Sequence, residues 1–192
     1  MTTATAKTAS AFRASRAIGA MFFSIMGAVW AGLWSTRAFG VNPALLSLTT
    51  AIGAIILFCA ISVFQRNKSA RLMQADSEEK RRADRVFNIV NAGQWVVILV
   101  LGNVLANLDL ADWVIMMAMF VIGLHFLPLA KVFNYPPHYV TGTALMVWAV
   151  AFSLCTAGGP ANPIGCLGAG IILWLSAIHG LIVRESRLAA VS

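Results

Sequence analysis

The sequence predicts an all-α integral membrane protein, a single bundle of six transmembrane helices with both termini cytoplasmic. Three observations predict it. The 192-residue chain is 59% hydrophobic and 11% charged, with a mean hydropathy of +0.81, well outside the range of soluble domains. Six apolar segments each reach the roughly 20 residues needed to cross a hydrocarbon core of about 30 Å. Thirteen of the fourteen lysines and arginines fall on one side of the resulting topology, leaving Arg37 alone on the other. That asymmetry is the positive-inside rule, and it sets the orientation. A formal charge of +7 might suggest nucleic acid in a soluble chain. Here it belongs to the membrane face, so nucleic acid is not expected as a partner. The lipid bilayer is, and the charge bias fits a bacterial inner membrane.

The spans fall at about 17–36, 44–64, 87–106, 112–131, 139–157 and 164–183, set by the ~20-residue crossing length. Residues 1–16 are polar and basic and lead into a full-length span, so no cleavable leader is expected. Span one carries Ala20, Ser24, Ala28 and Gly32 at every fourth position. This strip of small residues lets another backbone approach closely, within the bundle or across a homo-oligomer interface. The polar segment 65–86 lies between spans two and three. Asp76 followed by Glu79 has capping-box spacing, so a helix starting near Ser77 should run unbroken into span three as a basic stalk facing anionic headgroups.

Span three is the most polar, with Asn88, Asn91, Gln94 and Asn103 within one half of its surface. Those amides require protein or water, through helix packing or along a solute path. Span four ends with His125, Pro128 and Lys131, and the stiff Tyr135-Pro136-Pro137-His138-Tyr139 turn follows. An ionisable residue at membrane depth marks a candidate site. Met116, Met117 and Met119 are packing residues, because helical rotation turns Met116 to the face opposite His125. Spans five and six are joined by a Gly/Pro loop flanked by Cys155 and Cys166, which can form a disulfide in an oxidising compartment. Phe39-Gly40-Val41-Asn42-Pro43 and Gly159-Pro160-Ala161-Asn162-Pro163 open spans two and six in similar ways. Spans one–two and five–six thus have the look of related hairpins, and transporters are often built from repeats.

Counted inward from the basic residues at the span ends, His125, His179, Cys59 and Asn91 fall at one depth, about 8–10 Å inside the helix ends at 1.5 Å per residue. Such a layer can serve a transport path, or let His125 and His179 ligate a haem or metal, or place each histidine against a neighbouring carbonyl. Trp95, Trp148 and Trp174 lie near the midplane, where interfacial tryptophans do not sit. They either pack the core or line a cavity for a flat guest, with Gln94 or Asn103 as partners for the indole N–H. No C-x-x-C or H-E-x-x-H pattern occurs, so the usual signature of a zinc enzyme is missing.

His125-Phe126-Leu127-Pro128-Leu129-Ala130-Lys131 with His138-Tyr139-Val140-Thr141-Gly142 resembles small bacterial inner-membrane proteins of uncharacterised families. The resemblance implies a multi-helix membrane protein and brings no activity. The function expected is therefore transport or permeation of a small solute along a path through spans three, four and six, without a cofactor. The candidate residues are His125, His179, Asn88, Asn91, Gln94, Trp95, Trp148 and Trp174. The alternative is a haem- or metal-binding redox protein using His125 and His179, and the third reading is a non-catalytic oligomeric membrane component.

Overall fold

The structure is a computed structural model, and it describes residues 3–72 and 78–183. It is all-helical: α1 (Thr3–Phe39), α2 (Pro43–Leu72), α3 (Glu78–Asn107), α4 (Trp113–Val132), α5 (Pro137–Cys155), a short 3-10 turn (Gly159–Ala161) and α6 (Ile164–Ile182). All six α-helices are long and apolar enough to cross a membrane. The proposed Asp76–Glu79 cap lies outside the described residues, and so do the side chains of Lys7, Arg71, Lys80, Arg184 and Arg187. The helix expected from near Ser77 is present from Glu78 and runs unbroken to Asn107.

α1 and α2 are longer than a bilayer requires. Their extensions stay paired at the end bearing the N-terminus, where the Ser10 hydroxyl donates to Asn67 Oδ1 at 2.6 Å. The α1–α2 turn needs Gly40 at φ +69°, and Asn42 then caps α2 by accepting the Leu45 N–H at 3.2 Å. Asn162 plays a similar part before α6, accepting the Ile164 N–H at 2.9 Å. The repeated Asn-Pro pairs therefore share a capping chemistry.

Lipid tails are as apolar as leucine, so close backbone approach, not water exclusion, holds such helices together. The small strip of α1 does this inside the chain. A Cβ on Gly53 of α2 would sit 2.7 Å from Ala28 Cβ and 3.1 Å from the Ser24 carbonyl. On the other side, a Cβ on Gly170 of α6 would sit 2.9 Å from the Gly27 carbonyl. Ala20 and Ser24 are buried and Ala28 and Gly32 are partly covered, and α2 and α6 pack against this strip within the chain.

The core lies between α1, α4, α5 and α6, with Phe23, Met119, Phe126, Leu145, Phe152, Leu173 and Trp174 all buried. α3 stands apart and makes its substantial contacts with α4 alone. No residue of its membrane segment is fully buried. Its partly covered stripe, Val86, Val90, Gln94, Ile98, Gly102 and Leu105, keeps helical spacing and turns toward α4.

Candidate functional site

The site begins at the α4–α5 turn, at the same end of the bundle as the N-terminus. α4 closes with Asn134 in the left-handed region at φ +45°. The Tyr135 N–H then bonds back to the Ala130 carbonyl at 2.9 Å, and the Asn134 N–H to that of Lys131 at 3.2 Å. This six-to-one closure needs a residue tolerant of positive φ, and asparagine is one. Pro136 and Pro137 follow, and Pro137 occupies the first turn of α5, where its fixed φ is already helical and its missing N–H costs nothing. His138 is thereby placed on the first turn of α5 and folded back against the last turns of α4.

Two glycines bring the helices together there. A Cβ on Gly123 would lie 2.7 Å from the Gly142 carbonyl, and one on Gly142 would lie 2.5 Å from the Gly123 carbonyl and 3.1 Å from Phe126 Cβ. The result is an aromatic box. The His138 ring stacks on Phe126 at 5.6 Å between centroids, with Tyr135 edge-on at 4.9 Å, Phe23 of α1 at 6.0 Å and Phe133 at 6.5 Å. His125 abuts the same Phe126 ring at 5.3 Å.

Polar satisfaction is incomplete in the box. Nδ1 of His125 and Nδ1 of His138 are both buried and have no hydrogen-bond partner among the described residues. A buried polar atom left unpaired costs about 1–3 kcal/mol, so two within one cluster call for a functional account. Burial raises the pKa of Tyr135, and the nearby Arg16 charge opposes that rise. The box is polar and aromatic.

An apolar layer closes it toward the opposite end. Met119 lies six residues before His125 and Leu145 seven after His138, which puts both about 9–10 Å deeper on antiparallel helices. Met119 is 0% and Leu145 1% exposed.

The remaining predicted site residues stand elsewhere. His179 is exposed on the last turn of α6, and none of the described ring contacts joins it to His125. His125 and His138 instead each lie against the Phe126 ring. Among the described residues α3 and α6 make no substantial contact. Asn91 and Gln94 are partly covered on the α4 side of α3, while Asn88, Asn103 and Trp95 are exposed. Asn103 Nδ2 donates to the Leu99 carbonyl of its own helix at 2.7 Å.

Trp148 and Trp174 pack against glycines of neighbouring helices. Trp148 Nε1 donates to the Gly165 carbonyl at 3.0 Å, and its ring lies over Gly168. Trp174 Nε1 donates to the Ser24 carbonyl at 3.2 Å, and its ring covers Gly27. Their partners are main-chain carbonyls, where Gln94 or Asn103 had been expected. Cys155 is exposed and Cys166 buried, and both are free thiols, so the expected bridge is not formed. Met116 and Met117 line an apolar groove beside Leu101, Val104 and Trp113, in keeping with their reading as packing residues.

Sequence reasoning missed His138, Tyr135, Phe126 and Phe23 as site residues. Four aromatic rings converge on one imidazole of α5, yet they come from α1, α4 and the turn. No family model, curated protein or solved structure matches the chain.

Proposed function

We propose that the protein is a transport protein of a bacterial-type inner membrane, with both termini cytoplasmic, that passes a small solute through the His125–His138 box. The carrying observation is the pair of buried Nδ1 atoms without partners at the junction of α1, α4 and α5. Hydrogen-bonding capacity left unused in a membrane interior suits a transient guest better than a fixed structural role. The thirteen-to-one charge split supports the orientation, which makes the box a cytoplasm-facing vestibule. The Met119–Leu145 layer is then a gate that must part for passage.

The test is flux into proteoliposomes across a panel of small anionic, neutral and cationic solutes. Uptake above empty liposomes is expected, and it should be lost in His138→Leu while the melting temperature stays near that of the parent. Equal flux in the variant would overturn the role of the box. Labelling of a cysteine placed at Ser69, only in permeabilised cells, checks the orientation. The same two nitrogens favour a second reading, in which His125 and His138 hold a haem or metal. A Soret band in freshly purified protein would select it over transport.

A further inference from the structure

We propose that α3 docks a second copy of this chain, the two α3 helices meeting in parallel across a two-fold axis along the membrane normal. The inference goes beyond the transport reading and does not depend on it.

α3 makes its substantial contacts with α4 alone, which leaves most of its circumference without protein. On the free side Asn88, Ala92, Trp95, Leu99, Gly102 and Ala106 recur in alternating steps of four and three, the heptad spacing of helices that pair along a seam. At roughly 100° per residue they fall within an arc of about 80°. Five of the six are exposed, and Gly102 is partly covered at the edge next to α4.

Two polar groups on this seam call for protein. Trp95 lies near the midplane and is 55% exposed, and its indole N–H has no partner among the described residues. The other two midplane tryptophans each donate to a main-chain carbonyl of a neighbouring helix, Trp148 to Gly165 and Trp174 to Ser24. Asn88, about 10 Å nearer the N-terminal end of α3, is exposed and likewise without a partner among the described residues. Polar groups at membrane depth are costly until protein or water satisfies them.

Symmetry identifies the second helix. Two copies of one topology meet around an axis along the membrane normal, so their α3 helices run parallel and each seam residue faces its own counterpart. Such a seam needs self-complementary groups. An asparagine amide is one, because it carries both donor and acceptor, and asparagine on a seam fixes the register of a parallel pair. Ala92 and Ala106 let the two backbones approach closely, which brings Trp95 to the partner's main chain. One step of three before Asn88, beyond the hydrocarbon edge, Arg85 takes the next seam position with Asp84 beside it, and both are exposed. Across the two-fold axis the Asp84 of each copy flanks the Arg85 of the other, so opposite charges meet.

Cysteine cross-linking of the full-length protein in its membrane tests the seam, after Cys59, Cys155 and Cys166 are replaced by alanine. Leu99→Cys on the seam is compared with Val97→Cys, which is also exposed but lies about 160° away around the helix. Oxidation should give a covalent dimer from Leu99→Cys and far less from Val97→Cys. Dissociation in liposomes, read by energy transfer between labelled copies as lipid is added, gives the strength of the pair. Asn88→Leu should raise the dissociation constant about 3- to 30-fold, the worth of one interhelical amide contact. Ala92→Leu should raise it as well. Both residues are exposed in the single chain, so each variant should melt near the parent in a detergent that separates the copies.

Equal cross-linking at the two positions, or none at Leu99→Cys, would refute the seam and leave lipid as the cover of α3. A cross-link from Leu99→Cys to a protein of another mass would overturn the second copy in favour of a different partner. An unchanged dissociation constant in both Asn88→Leu and Ala92→Leu would place the dimer contact on another face and sink the proposal.

Discussion

Gly123→Ala isolates the contact on which the box depends. The added methyl would meet the Gly142 carbonyl and Met146 Cγ at 2.7 Å and the Met146 nitrogen at 3.0 Å. Two of these three atoms are backbone, so no rotamer change clears the way. Carbon contacts settle at 3.5–4.0 Å, so α4 and α5 must separate locally by about 0.5–1 Å. Overpacking of this kind costs about 1–3 kcal/mol, while replacing a helical glycine by alanine returns about 1 kcal/mol. Gly93 on α3 supplies the reference, because a Cβ there meets nothing within 4 Å and only the propensity gain remains. The difference between the two variants is then the overpacking cost alone. At about 2–4 °C per kcal/mol for a chain of this size, Gly123→Ala should melt roughly 2–12 °C below Gly93→Ala. Fluorescence-monitored thermal unfolding in one detergent measures it. A Gly123→Ala protein that melts at or above Gly93→Ala would show that α4 and α5 do not meet through these glycines, and the placement of His138 against Phe126 would fall with them.

Trp174→Phe removes the indole bond to the Ser24 carbonyl and should cost about 1 kcal/mol for that bond plus a cavity contribution. Trp95→Phe on the exposed face of α3 should stay within about 0.5 kcal/mol of the parent in the same melt. Tyr135 ionises above its ordinary value of 10 because burial favours the neutral phenol. The folded state therefore holds that proton longer than the unfolded chain, and its stability is flat below pH 10 and falls as pH rises beyond it. Tyrosinate absorbance should show a late phase that Tyr135→Phe abolishes, together with that loss of stability. Thiol alkylation under native, non-reducing conditions should modify exposed Cys155 and spare Cys166, which is 1% exposed. Denaturation without reductant should then yield three modified cysteines by mass, and a count of one would restore the disulfide.

Hydropathy carries the existence of six spans because each helix must be apolar along about 20 residues whatever it packs against. It carries their ends less well. α1 extends to Thr3 because alanine, lysine and arginine are good helix formers in polar surroundings, and the Ser10–Asn67 bond holds the extension against α2. Which helices are neighbours is not written in hydropathy. The Ala20, Ser24, Ala28, Gly32 strip announces close approach, but a one-dimensional period is the same for a partner inside the chain as for one outside it. The matching glycines, Gly53 and Gly170, decide for the inside. The polar stripe of span three suggested a central helix, yet Asn103 bonds back to its own backbone. An amide satisfied within its own helix needs no neighbour.

Depth counting paired His125 with His179 because both lie a similar distance from a basic residue on helices running the same way. Depth is one coordinate of three, and it leaves the lateral position of each helix undetermined. Adjacency along the chain is the stronger constraint: helices joined by a four-residue turn must lie side by side. Gly123 stands ten residues before the 133–136 turn and Gly142 only six after it, and Phe126 and His138 stand seven before and two after. Counting from the turn therefore makes α4 and α5 neighbours but does not pair these residues, and the register that sets His138 on Phe126 was not legible from the sequence. The unmet hydrogen-bonding capacity was not legible. A sequence shows which donors exist, and only the assembled bundle shows that Phe23, Phe126, Phe133 and Tyr135 surround His138 without offering its Nδ1 a partner.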